Sequence, residues 1–253
     1  MALHFKQSPE TLDQEAVKDY LFLCKSQHQT PSESFFKHTV YGLRAAYKVL
    51  EVTDKRVYLP QIKAQKELPV VLNRIEIKAL LKAPKFLRHR LMLGFLYGCG
   101  LRSYELCDLK LSNVDLIRKT VFIPKRKGNI DRYLPLSKHL IRGLQEYLSQ
   151  HKPKQYLFIS QVSRDGEEHP ITTRAIQWLL KECRSKVNTN KKFTAHTLRH
   201  SYATHLLEEG VNIIQLKQLL GHACIENTIK YLHVCQLESP LAYSPLDTLW
   251  KDV

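Results

Sequence analysis

One hairpin interrupts a chain that otherwise keeps helical period, and that interruption limits the folds open to it. Thr120–Ile123 and Arg132–Leu136 carry the two-residue alternation of half-buried strands, and the turn Lys127-Gly128-Asn129 joins them. Asn113–Leu116 reads as a third short strand. Elsewhere apolar residues recur every three to four positions. The expected fold is α+β, mainly helical, with one small antiparallel three-stranded sheet.

Two helices are expected before residue 52. Thr11 with Gln14 makes a capping-box start, after which Val17, Tyr20, Leu21 and Cys24 share one face. Thr30-Pro31-Ser32-Glu33 makes a second start, with Pro at the first helical position, and Phe36, Val40, Leu43 and Tyr47 follow at helical spacing. Between residues 52 and 69, Lys55-Arg56, Pro60, Lys63, Lys66 and Pro69 break any regular period. The domains so delimited are 1–60, a linker over 61–69, and 70–253. In the last of these, Asn73 with Glu76 caps a helix, a buried helix runs from about His89 to Tyr97, and a short one passes through Glu105 and Leu106. Ser137–Gln150 and Thr173–Val187 are helical by their apolar spacing. Another helix ends before Gly210, and Asn212 with Gln215 caps the next.

Charge narrows the function. The net charge is +15, and residues 1–69, with 10 Lys+Arg against 8 Asp+Glu, leave +13 of it to residues 70–253. Such an excess suits a polyanion, and nucleic acid is the expected partner. Six scattered cysteines form no CxxC pair, so neither a zinc site nor a redox motif is expected. The stretch from Met1 to Glu10 lacks the apolar run of a secretory signal, and the longest apolar stretch, Leu91–Leu101, is too short to span a bilayer. A cytoplasmic location follows as an expectation. No Walker loop, HExxH motif or acidic cluster is present, so no cofactor is expected.

Four stretches hold residues suited to chemistry on phosphate. Arg102 opens a helix after Gly100, and its bland role is an ion pair with Glu105. Lys125-Arg126-Lys127 sits at the hairpin tip, where a solvated turn is the ordinary outcome. His196 and Arg199 lie three apart on one helix. His222 closes Leu219-Leu220-Gly221-His222, and Tyr231 follows at nine residues. Nothing intrinsic marks Tyr231 as reactive.

Their order makes the case. GLRSYEL, the RKGN turn, HTLRHSYAT, LLGH and a tyrosine nine residues on together resemble the catalytic domain of the tyrosine recombinase (phage integrase) family, including its Xer-like members. The resemblance runs from about residue 70 to the end, and Ser244-Pro245-Leu246-Asp247 is similar to integron-integrase-type members. It implies metal- and ATP-independent strand cleavage and rejoining through a 3′-phosphotyrosyl link, hence site-specific DNA recombination. It implies catalytic roles for Arg102, Lys127, His196, Arg199, His222 and the nucleophile Tyr231. Arg102 and Arg199 clamp the phosphate, Lys127 protonates the leaving oxygen, His196 assists proton transfer at the tyrosine, and His222 hydrogen-bonds the phosphoryl group. It further implies a two-domain C-shaped clamp on double-stranded DNA, a core-binding N-terminal domain (here with two expected helices where the family usually has four or more), and four protomers on two sites. The tail Leu237–Val253 docks on a neighbour, and the free protein is a monomer. Tyr104 and Ala223-Cys224-Ile225 depart from residues the family usually makes small or polar.

Two rivals separate by experiment. A catalytically silent DNA binder of the same fold would form no covalent adduct. A helix-turn-helix regulator would use Asn212–Leu219 and Glu226–Leu232 as its helix pair and cleave nothing.

Overall fold

The computed structural model describes residues 1–27, 33–52, 57, 68–125, 130–160 and 167–235. The chain divides into two compact units, Met1–Glu67 and Leu68–Val253.

The first unit holds helices α1 (Ala2–Phe5), α2 (Gln14–Gln27) and α3 (Glu33–Val49). Its core is Leu12, Val17, Leu21, Cys24, Val40, Leu43, Tyr47 and Val57. Val17, Leu21 and Cys24 of α2 and Val40, Leu43 and Tyr47 of α3 are thus buried as expected, Tyr20 is half-exposed, and the side chain of Phe36 lies outside the described residues. Two details differ from the expectation. A one-turn helix, α1, precedes the others; four residues are too few to show a period. The start of α2 is also capped differently: Asp13 accepts from the Ala16 N–H at 2.7 Å, while the Thr11 hydroxyl donates back to the Ser8 carbonyl. A carboxylate beside the first free N–H groups is the stronger cap.

The second unit begins with α4 (Arg74–Lys82), whose Asn73–Glu76 capping box is present in full. Then comes α5 (Leu87–Gly98), which buries Leu91, Met92, Leu93, Phe95 and Leu96. A helix apolar nearly all round belongs at a centre, and α5 packs between α7 (Lys138–His151) and α9 (Ala195–Glu208). Between them in sequence lie α6 (Ser103–Cys107) and the antiparallel sheet β1 (Val114–Asp115), β2 (Thr120–Ile123) and β3 (Arg132–Pro135), in that order across the sheet. The expected strand at Asn113–Leu116 is shorter than read. Leu111–Asn113 is a 3₁₀ turn, and Asp115 accepts from the Ile117 and Arg118 N–H groups, which turns the chain out of the strand. In β2 and β3 the alternation buries Val121, Ile123 and Leu134, and pairs Phe122 with Tyr133 on the outer face. The hairpin tip, residues 126–129, lies outside the described residues, and Lys127 with it.

Helix α8 (Thr173–Arg184) buries Ile176, Leu179, Leu180 and Cys183. Helix α9 is buried on almost every side, polar positions included: Thr197, Arg199, Ser201, Thr204 and His205 are all inside. After Gly210, at φ 85°, come α10 (Ile213–Leu220) and the single turn α11 (Glu226–Ile229). Asn212 caps α10 by accepting from the Ile214 N–H. No helix among the described residues is long and apolar enough to cross a membrane.

Candidate active site

The site is organised around one carboxylate. Alternation along β3 puts Arg132 on the same inner face as Leu134. A guanidinium held there needs an anion, and Glu105 of α6 supplies it through two hydrogen bonds, 3.0 and 2.8 Å. The same carboxylate accepts from the Arg102 backbone N–H at 2.8 Å and from Arg102 Nη1 at 3.1 Å. Arg199 Nη1 lies 4.0 Å from it. Burial pushes the Glu105 carboxyl up, but Arg132, the Arg102 N–H and Arg199 outweigh burial and hold it below the usual carboxylate range. Three guanidiniums share one negative charge in a low-dielectric setting. The Arg132 Nε, buried, has no hydrogen-bond partner among the described residues. Arg199 is pushed down to about 10, by burial first and then by Arg102. The cluster is short of an anion.

Arg199 is fixed from α9 by backbone carbonyls. Its Nη1 donates to Gly100 O at 2.7 Å and its Nη2 to Leu220 O at 2.6 Å. Two glycines beside these carbonyls allow close packing of other site neighbours. Gly100 sits at φ 59°, and a Cβ there would collide with the Tyr202 ring. Gly221, at φ 62°, ends α10, and a Cβ there would stand 2.8 Å from Arg132 Nη1. Arg199 Nη2 also meets His222 Nε2 at 3.1 Å, and His222 Nδ1 meets Thr228 Oγ1 at 2.9 Å. Arginine only donates, so Nε2 accepts and the proton of the neutral ring sits on Nδ1. Burial, then Arg199 and Arg102, push His222 down to about 3, so the ring is uncharged at neutral pH.

Tyr231 follows α11 and is 1% exposed. Its hydroxyl lies 3.0 Å from His200 Nδ1, with ring centroids 5.5 Å apart. Burial pushes its phenol up, while Arg199 and Arg102 pull the other way. Lys230 Nζ stands 5.2 Å from the Tyr231 ring centre. His196 has no hydrogen-bond partner among the described residues. It faces a cleft of about 580 Å³ lined by Arg102, Tyr104, Thr173, Gln177 and Arg184 as well. Desolvation, then Arg199 and Arg102, lower its pKa.

Of the six residues singled out in the sequence, five therefore gather here, and Lys127 lies outside the described residues. In this structure the imidazole against the Tyr231 hydroxyl is that of His200, while His196, to which the resemblance gives a role in proton transfer, faces the cleft. Sequence reading also missed Arg132, although strand alternation signals its inward face, and assigned Glu105 only as a partner for Arg102. The helix-turn-helix alternative loses its second helix, since α11 is four residues long and too short to read a groove. Among the described residues no group of three or more His, Cys, Asp or Glu side chains is placed to hold a metal ion.

A family model described as the phage integrase family matches residues 70–238. The tyrosine recombinase XerA of Thermococcus kodakarensis is 38% identical over 216 residues, covering 84% of this chain and 75% of that protein. A crystal structure of XerA recombinase superposes with a TM-score of 0.59 at 26% identity, over 92% of this chain and 82% of that one. The XerH site-specific recombinase bound to its difH substrate before cleavage shares the fold, with a TM-score of 0.70 at 22% identity over 92% of this chain and 71% of that one.

Proposed function

From the premise that this chain belongs to the phage integrase family of tyrosine recombinases, we propose how its own residues perform the family's reaction. The protein is a DNA breaking-and-rejoining enzyme that carries out site-specific recombination by tyrosine-mediated cleavage. In the proposed mechanism Tyr231 Oη attacks the scissile phosphorus, forming a 3′-phosphotyrosyl ester and releasing a 5′-hydroxyl. Attack by a 5′-hydroxyl of another strand reverses the step. The ester conserves the bond energy, so neither ATP nor a metal is needed.

The observation that carries this reading is the excess of guanidinium around Glu105. A phosphodiester entering beside Arg102 and Arg199 supplies the missing negative charge, and the developing charge of the transition state is met by donors already fixed in place. His222, held neutral between Arg199 and Thr228, turns Nε2 toward the phosphate seat; to donate to a phosphoryl oxygen the ring carries its proton on Nε2 instead of Nδ1, and Nδ1 then accepts from the Thr228 hydroxyl. His196 faces the cleft beside Arg102 and contacts the incoming strand. Lys127 protonates the leaving 5′-oxygen. Because the Tyr231 hydroxyl is covered in this structure, the segment around α11 shifts when DNA arrives.

The larger assembly belongs to the same proposal. The N-terminal unit serves as a core-binding domain that adds to the hold on duplex DNA. Four protomers join two sites, each sending its tail, residues 237–253, to a neighbour, and the free protein is monomeric. A cytoplasmic workplace suits the free cysteines.

The test uses a DNA substrate nicked near the cleavage site, incubated in EDTA. Wild type is expected to become covalently attached to a 3′ end, and Tyr231→Phe is not. A folded wild type that binds this DNA tightly yet forms no adduct would return the silent DNA binder.

A further inference from the structure

Tyr104 stands where the family usually has a small or polar residue, and the proposed reaction leaves it without a task. The structure gives it a place. On the short helix α6, Glu105, Leu106 and Cys107 are buried. Tyr104 is only half-buried and lines the cleft of about 580 Å³. Arg102 and His196 line the same cleft, and so do Thr173 and Gln177, four apart on one face of α8. Arg184 lines it as well, held by its bond to the Phe193 carbonyl at 2.7 Å. Among the described residues no carboxylate lines it. The walls are positive or hydrogen-bonding, with no negative charge to repel an anionic strand.

Arg102 belongs to two places at once. Its guanidinium is part of the cluster around Glu105, and its side chain borders the cleft. A strand whose scissile phosphate sits between Arg102 and Arg199 is continuous, with a phosphate at about every 3.4 Å of rise. A phosphate flanking the scissile one therefore enters the space beside Arg102, where Tyr104 lies two residues on in the chain. Tyrosine hydroxyls are among the groups that hold a strand by its phosphates without reading its bases.

We propose that the Tyr104 hydroxyl donates a hydrogen bond to the phosphate next to the scissile one, making the cleft a second seat for the backbone of the cleaved strand. The proposal rests on Arg102 and Arg199 as the first seat. A strand gripped at one phosphate can still pivot about it. A grip on the next phosphate removes that freedom and holds the scissile phosphorus in the orientation that attack requires.

The experiment measures the rate of adduct formation on the nicked substrate, with protein below saturation so that binding and cleavage both count. Wild type, Tyr104→Phe and Tyr104→Ser each meet the plain strand and two strands in which a neutral methylphosphonate replaces the phosphate on one side of the scissile one or the other. Tyr104→Phe keeps the ring and loses only the donor. It is expected to be slower on the plain strand by about tenfold or more, the worth of a hydrogen bond to a charged group. At one of the two flanking positions the methylphosphonate should slow wild type and close its gap to Tyr104→Phe, because both changes remove the same contact. Tyr104→Ser should lose at least as much as Tyr104→Phe and show the same dependence. A gap of the same size on all three strands would overturn the proposal. So would a Tyr104→Phe enzyme as fast as wild type, which would leave Tyr104 only its ring. A gap that closes instead on a strand lacking the neighbouring base would make the cleft a base pocket and overturn it too. If wild type forms no adduct, or Arg102→Ala matches it, the reading of the first seat falls and this one with it; if Arg102→Ala is slow and the gap persists on every strand, only the role of Tyr104 falls.

Discussion

Single residues decide this site by the company they are made to keep. Glu105 is the clearest instance: one carboxylate holds Arg102 and Arg132 and lies near Arg199. Replacing it by glutamine leaves three guanidiniums without their counter-charge, and a buried pair broken from one side costs about 3–5 kcal/mol. Glu105→Gln should therefore unfold at markedly lower denaturant, and saturating DNA should restore part of the loss by supplying the anion. Equal stability with and without DNA would contradict the shared-charge account. Motif spacing pointed to Arg102, Arg199, His222 and Tyr231, and the structure brings these four together. The contact of His200 was not legible: it joins a tyrosine 31 positions on, and only packing sets that distance.

Secondary elements carry these residues through their ends more than through their middles. Arg102 caps the start of α6, Gly221 caps the end of α10, and α11 is a single turn before Tyr231. Gly221→Ala tests how tight the second of these ends is. The substitution forces a side chain into the left-handed region, at roughly 1–2 kcal/mol, and pushes on Arg132, so both melting temperature and cleavage rate should fall. A fall in melting temperature without any loss of cleavage would show that Arg132 does not support the site. The long helices were readable because period and cap agree, as in Asn73 with Glu76. The missed pieces, α1 and the shortened β1, are four and two residues long. At that length local hydrogen bonds such as those to Asp115 outweigh any pattern.

At the scale of the whole molecule, charge is the feature that sequence alone made plain. Nearly all of the net +15 lies beyond residue 69, in the unit that holds the cluster. Binding should weaken steeply with salt, because each phosphate neutralised releases counterions. With six or more phosphate contacts, affinity should drop by about 10³-fold or more between roughly 50 and 200 mM salt. A nearly flat salt response in a fluorescence-anisotropy titration would mean that the positive face is not the DNA face. Where the cations cluster inside the unit was not legible, since strand alternation and helix burial, and not composition, turn Arg132 and Arg199 inward.

The bond between His222 and Thr228 gives the molecule a tether. Thr228 lies three residues before Tyr231, on the turn that leads into it, while the other nitrogen of the same ring touches Arg199. One imidazole therefore ties the segment carrying the tyrosine to the guanidinium cluster 32 positions earlier in the chain at Arg199. In the proposed reaction these are the nucleophile's segment and the phosphate's seat, and by reciprocity whatever a bound strand changes at one end of that tie is felt at the other.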